Sequence, residues 1–132
     1  MGWWHYLAGD YASAERLLEN AVQQRPGNAQ LATERMWNLI EARRFADALQ
    51  SSGNFYDEST HSDHLMAEAV ARWQARQSNQ AIGTFESAMA SRPEWDNPLW
   101  VKALYSPLVV GTVQEMHAEV EKRQKARAAL KP

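Results

Sequence analysis

The densest group of chemistry-bearing residues in the chain is His61-Ser62-Asp63-His64, two imidazoles at three-residue spacing with a carboxylate between them. A structural or catalytic metal centre takes three or four ligands held by an orienting shell, and only Asp57 and Glu58 stand near enough in sequence to add to it. The tetrad therefore reads as a polar linker, with Thr60 or Ser62 capping a helix that begins near Asp63. His5 and His117 are single, with no evident nucleophile or acid beside them. The carboxylates fall on helix faces, Glu15 with Glu19, Glu34 with Glu41 and Glu119 with Glu121, which is the pattern of a solvated surface. There is no Gly-x-Ser-x-Gly elbow and no glycine-rich phosphate loop after a strand. The chain reads as a non-enzyme, with no catalytic residue, no metal site and no cofactor expected. Six tryptophans in 132 residues are the stronger lead, because a core alone does not call for so many.

The elements that must position these residues follow from composition. There are 21 alanines against 9 valines plus isoleucines, a helix-forming balance, while the 6 glycines and 5 prolines act as punctuation between segments of three- and four-residue apolar spacing. That spacing predicts helices near 2–8, 11–24, 29–42, 44–51, 61–77, 79–91, 98–105 and 108–129. A chain of this length holds one core or a few short repeats of one unit. Fourteen basic against sixteen acidic residues, a net charge of −2, argues against a nucleic-acid partner. The absence of cysteine removes disulfides and thiolate chemistry. Mean hydropathy is −0.58 and no apolar run approaches the roughly 20 residues of a membrane helix. Met1 to Tyr6 lack the layout of a signal peptide, so a cytoplasmic location and no membrane partner are expected.

An internal repeat organises the chain. Ala14 to Pro26 aligns without a gap to Ala81 to Pro93, with five of thirteen positions identical in the frame Ala, apolar-Glu, Ala, Arg-Pro. Between these two copies a middle one is visible, since Phe45-Ala46-Asp47-Ala48 repeats Tyr11-Ala12-Ser13-Ala14 at a spacing of 34. The interval from Ala14 to Ala81 is one position short of twice that spacing. Continuing the register from Ala32, Met36 and Leu39 gives the apolar stripe Met66, Val70 and Trp73, and places the one missing residue in the turn Gln77-Ser78-Asn79.

In these features the chain resembles the tetratricopeptide repeat, a helix-turn-helix of about 34 residues with small residues at the crossing and a closing proline. Gly9-Asp10-Tyr11-Ala12-Ser13-Ala14 and Arg43-Arg44-Phe45-Ala46-Asp47-Ala48 are similar to its interhelical turn. Ala14, Ala48 and Ala81 then sit where the helices of a pair cross, Tyr11 and Phe45 fill the space beside the turn, and Pro26 and Pro93 end the second helices. The tail from Asn97-Pro98 is similar to the closing segment of repeat arrays in bacterial winged-helix regulators and adenylyl cyclases. The fold expected from the resemblance is all-α, a short right-handed solenoid of about three helical hairpins over residues 1–96, closed by capping helices over 97–132 of the same domain.

The resemblance also implies a site. Residues one position on from the core register face the concave side, where such repeats grip peptides or partner helices. That offset selects Trp37 and Ile40 in the second copy, Trp3 and Tyr6 in the first, with Gln30, Thr33, Glu34 and Glu41 as a polar surround. Trp3, Tyr6, Gln30, Thr33, Trp37, Ile40 and Glu41 are thus the expected contacts for a protein or peptide. The expected role is protein–protein interaction on a preordered groove, with a regulatory domain of a larger bacterial regulator or cyclase as the alternative. Trp95 and Trp100, beside Pro93 and Pro98, are expected to lock the cap onto the third copy. Trp3 and Trp4, on a short first helix, suggest self-association through the N-terminal edge.

Overall fold

The computed structural model describes residues 11–25, 27–51 and 61–130. Among them are α1 (Tyr11–Gln24), α2 (Ala29–Glu41), α3 (Phe45–Gln50), α4 (His61–Gln74) and α5 (Ser78–Ser91). A 3-10 turn (Pro93–Asp96) leads into α6 (Pro98–Leu104) and the long α7 (Pro107–Leu130), and no described residue lies in a strand. None of these helices is long and apolar enough to cross a membrane.

Local chemistry sets the boundaries. Asn28, in extended backbone, accepts the Leu31 N–H on its Oδ1 at 3.0 Å and starts α2. Asn97 does the same for α6, accepting from Leu99 and Trp100, with Pro98 supplying the preset φ of the first helical position. The backbone of Arg92 is extended, as a residue before proline prefers, so α5 stops at Ser91 and the chain turns through Pro93. Pro26 lies outside the described residues.

The repeat shows most clearly in the turns. After α2, the amides of Ala42, Arg43 and Arg44 donate to the carbonyls of Asn38, Ile40 and Leu39; after α4, those of Ala75, Arg76 and Gln77 donate to Ala71, Trp73 and Arg72. Both turns place an arginine in the left-handed region at φ 64°, Arg43 and Arg76, a conformation that favours glycine. Gly9 stands at the matching position of the first copy in the sequence frame. The interval from Arg43 to Arg76 equals that from Phe45, the first residue of α3, to Ser78, the first of α5, and is one position shorter than that from Tyr11 to Phe45. This corrects the expected position of the missing residue: the turn at 77–79 is intact, and the shortening falls ahead of α4. In the frame that the two arginines set, Thr33, Met36 and Trp37 of α2 correspond to Met66, Ala69 and Val70 of α4, all buried.

Packing follows chain order. α1 lies on α2, α2 on α3 and α4, α3 on α4, and α4 on α5, while α7 closes across α4, α5 and α6. The result is an all-α solenoid of helical hairpins. Ala14, Ala48 and Ala81 are fully buried, as close crossings require. One continuous core runs from Met36 and Ile40 through Met66, Val70, Ile82 and Phe85 to Val109, Val113 and Met116. Each of the larger of these side chains contributes about 1.5–3 kcal/mol by leaving water.

Candidate functional site

The side of α2 expected to face a partner is covered by the chain itself. Thr33 (2% exposed), Trp37 (7%), Ile40 (0%) and Glu41 (7%) are all buried, and of the expected α2 contacts only Gln30 is exposed. Trp3 and Tyr6 lie outside the described residues. The expectation of an open groove centred on Trp37 is thereby corrected: the chain doubles back after α6, and Tyr105-Ser106 fills the groove. Tyr105 ends α6 in extended backbone, and its ring lies 5.3 Å from that of Trp37. Its hydroxyl donates to Oδ1 of Asp63 at the start of α4, and the Ser106 hydroxyl donates to Oε1 of Glu41 at the end of α2.

Thr33 and Glu41 are each held by further polar contacts. The Thr33 hydroxyl gives its proton to the Ala29 carbonyl at 2.8 Å and lies 3.1 Å from His64 Nδ1. With that proton spent, the His64 ring must be the donor, which fixes a protonated Nδ1. Arg43 lies 3.7 Å from the second carboxylate oxygen of Glu41, and its guanidinium also donates to the Glu41 carbonyl at 2.7 Å. The indole N–H of Trp37 is buried without a well-formed hydrogen bond, although it lies near enough to Asp63 to favour that group's charged form.

Burial pushes the Asp63 carboxyl above the usual carboxylate range, against the pull of the Tyr105 hydroxyl, the Trp37 indole, Arg92 and His64. Glu34, one turn before Trp37, is raised by the same cause, with the nearby Asp63 charge adding to it. The floor is therefore poorly solvated, with Arg43 beside Glu41 and with Arg92 and His64 near Asp63.

A further layer clamps the occupant. Trp95 is almost fully buried, and its ring centroid lies 4.8 Å from that of Tyr105 and 5.0 Å from that of Trp100. Its N–H donates to Ser62 Oγ at 2.8 Å, and the Ser62 hydroxyl in turn donates to the Ala88 carbonyl. His117 of α7 lies 3.2 Å from the Trp95 carbonyl and meets Phe85 edge-on at 4.9 Å. Ser62 is accordingly a buried bridge inside α4, which begins at His61, and not its cap; the other expected cap, Thr60, lies outside the described residues.

Tyr105, Ser106, Asp63 and His64 are the groove residues that repeat arithmetic did not select. The frame set by Arg43 and Arg76 offers a signal for one of them, since it aligns Asp63 with Gln30. The Tyr-Ser-Pro break between α6 and α7 is visible in the sequence as a break, but nothing local to it points to α2. Among the described residues, no three histidine, aspartate or glutamate side chains are grouped to hold a metal ion.

A family model for the tetratricopeptide repeat matches residues 5–51. No curated protein and no solved structure matches the chain.

Proposed function

We propose that this chain, a tetratricopeptide-repeat protein by its residues 5–51, is a protein–protein interaction module that holds a partner's extended segment on the face formed by α2 and α4. Repeats of this family generally bind proteins or peptides, and the proposal adds a place. The observation that carries it is the manner in which Tyr105-Ser106 is held: Tyr105 in extended backbone with its ring against Trp37, and one hydroxyl on each of two carboxylates, Asp63 and Glu41. A surface that already grips one dipeptide of the chain through side-chain chemistry is suited to hold a peptide, and its rigid helices lose little entropy on binding. Gln30 and Glu34 extend the polar rim beyond Tyr105, and Trp3 and Tyr6 remain the proposed continuation from the first copy.

The test is a displayed peptide library selected on the intact chain, with binders mapped by amide and indole nitrogen NMR. Binders are expected to move the Trp37 indole signal and the amides around Gln30 and Asp63. Binders that move only the outer faces of α1 and α5, around Arg16 and Glu86, would overturn the placement.

A further inference from the structure

We propose that Tyr105-Ser106 is a resident stand-in for the partner, so that the groove accepts in trans a segment carrying an unphosphorylated tyrosine followed by serine or threonine, and that this segment binds by displacing the resident pair. The inference rests on the reading of the α2–α4 face as the peptide-binding surface and adds the chemistry of its ligand.

Three features argue for it. The first is complementarity: the side chains of the floor are specific to what lies on them. Asp63 and Glu41 each receive a hydroxyl, and Trp37 receives an aromatic ring that also contacts Trp95. A phenylalanine in the tyrosine position would leave the poorly solvated Asp63 carboxyl without its hydroxyl donor, so an aromatic ring alone does not satisfy the site.

The second is that the resident pair can leave without unravelling its flanks. α6 is held by buried Val101 and by Trp100 on Trp95. α7 is held by buried Val109, Val113 and Met116, by the Trp73 N–H on Glu115 at 2.7 Å, and by Gln74 on Thr112 at 2.9 Å. Tyr105 and Ser106 cap the facing ends of α6 and α7, the Tyr105 N–H donating to the Val101 carbonyl and Ser106 accepting the Val110 N–H on its carbonyl and the Val109 N–H on its hydroxyl, so displacement gives up only these end bonds while the anchors of both helices stay in place. The joint between two separately anchored helices is where a chain yields at least cost.

The third is charge. Glu34, Glu41 and Asp63 give the floor three carboxyl groups, and although Arg43 lies at Glu41 and Arg92 near Asp63, it is the carboxylates of Asp63 and Glu41 that the ligand hydroxyls meet directly. A phosphate on either ligand hydroxyl would bring nearly two negative charges into direct contact with one of them. The site therefore discriminates against the phosphorylated form, and phosphorylation of a partner would release it.

The experiment is fluorescence anisotropy with a labelled peptide of residues 103–109, Ala-Leu-Tyr-Ser-Pro-Leu-Val, titrated with the full chain and with its Tyr105→Ala/Ser106→Ala variant. The vacated variant is expected to bind at least tenfold more tightly than the parent, and to lose that gain when the peptide tyrosine is replaced by alanine or by phosphotyrosine. Adding Asp63→Ala and Glu41→Ala to the vacated chain is expected to remove binding. Should the double variant not fold, as judged by circular dichroism, Tyr105→Phe keeps the ring and removes only the hydroxyl, and it is expected to bind the peptide a few-fold more tightly than the parent. Equal affinity of parent and folded variant, or equal affinity for plain and phosphorylated peptide, would overturn the inference. If library binders shift the Trp37 indole while the 103–109 peptide binds neither protein, the ligand chemistry fails and the placement of the groove stands.

Discussion

Replacing Trp37 by alanine separates a core role from a surface role. An exposed interface anchor can be truncated with little loss of stability, but Trp37 is 7% exposed and stands between Tyr105 and the α2 core. Truncating a buried tryptophan costs about 3–5 kcal/mol through lost transfer energy and the cavity left behind. Two local facts lower the figure. The indole N–H is buried without a well-formed hydrogen bond, so its removal returns part of a desolvation penalty of about 1–3 kcal/mol. Tyr105 is only half-buried, at the joint between two helices, so it can settle partway into the space. A loss of about 2–3 kcal/mol is expected, read as a lower urea midpoint at unchanged slope in equilibrium unfolding followed by far-ultraviolet circular dichroism. Trp37→Phe, which keeps most of the ring and discards the N–H, is expected to lose under about 1.5 kcal/mol. A Trp37→Ala loss below about 1 kcal/mol, with two-state unfolding intact, would mean that Tyr105 does not cover the groove in solution.

The remaining predictions concern the frame and its charges. Ala81→Arg or Ala14→Arg forces a charged chain into a fully buried crossing and should cost several kcal/mol; an unchanged melting temperature would break the repeat alignment at that copy. Arg76→Gly relieves a left-handed backbone at φ 64° and should stabilise by about 0.5–1 kcal/mol in urea titration, while Arg43→Gly, which also gives up the contacts with Glu41, should gain less. The folded protein holds the Asp63 proton to higher pH than the unfolded chain, whose ordinary value is 3.8, so this group's contribution to stability is fully present below that value and is lost as pH rises through the raised one. Glu34, raised from 4.5, acts in the same direction. Asp63→Asn should therefore flatten the fall in stability from about pH 4 toward neutrality, and an unaltered profile of urea midpoint against pH would contradict the burial of that carboxyl.

Much of the helical framework was legible in the residues themselves. Alanine-rich segments with apolar spacing, Asn28 and Asn97 before helices, and Pro93 after one carry local chemistry, and local chemistry acts without knowledge of the rest of the chain. The same holds for the repeat, whose small residues mark crossings wherever the copies stack, and Ala14, Ala48 and Ala81 are buried as that logic requires. Spacing could also suggest that Trp37 and Ile40 share a face, but not what lies on that face. Only the tertiary structure decided this, by bringing Ser106 back to Glu41 and Tyr105 back to Asp63 from far along the sequence. No periodicity encodes such a contact, because it depends on where the α6–α7 joint lands once Trp95 is docked on Ser62 and His117 lies against its carbonyl. The displaced register had the same origin. The one-residue shortening ahead of α4 left the apolar stripe plausible in either frame, and the choice fell to the hydrogen bonds of two matching turns, which a sequence contains only as Arg43 and Arg76.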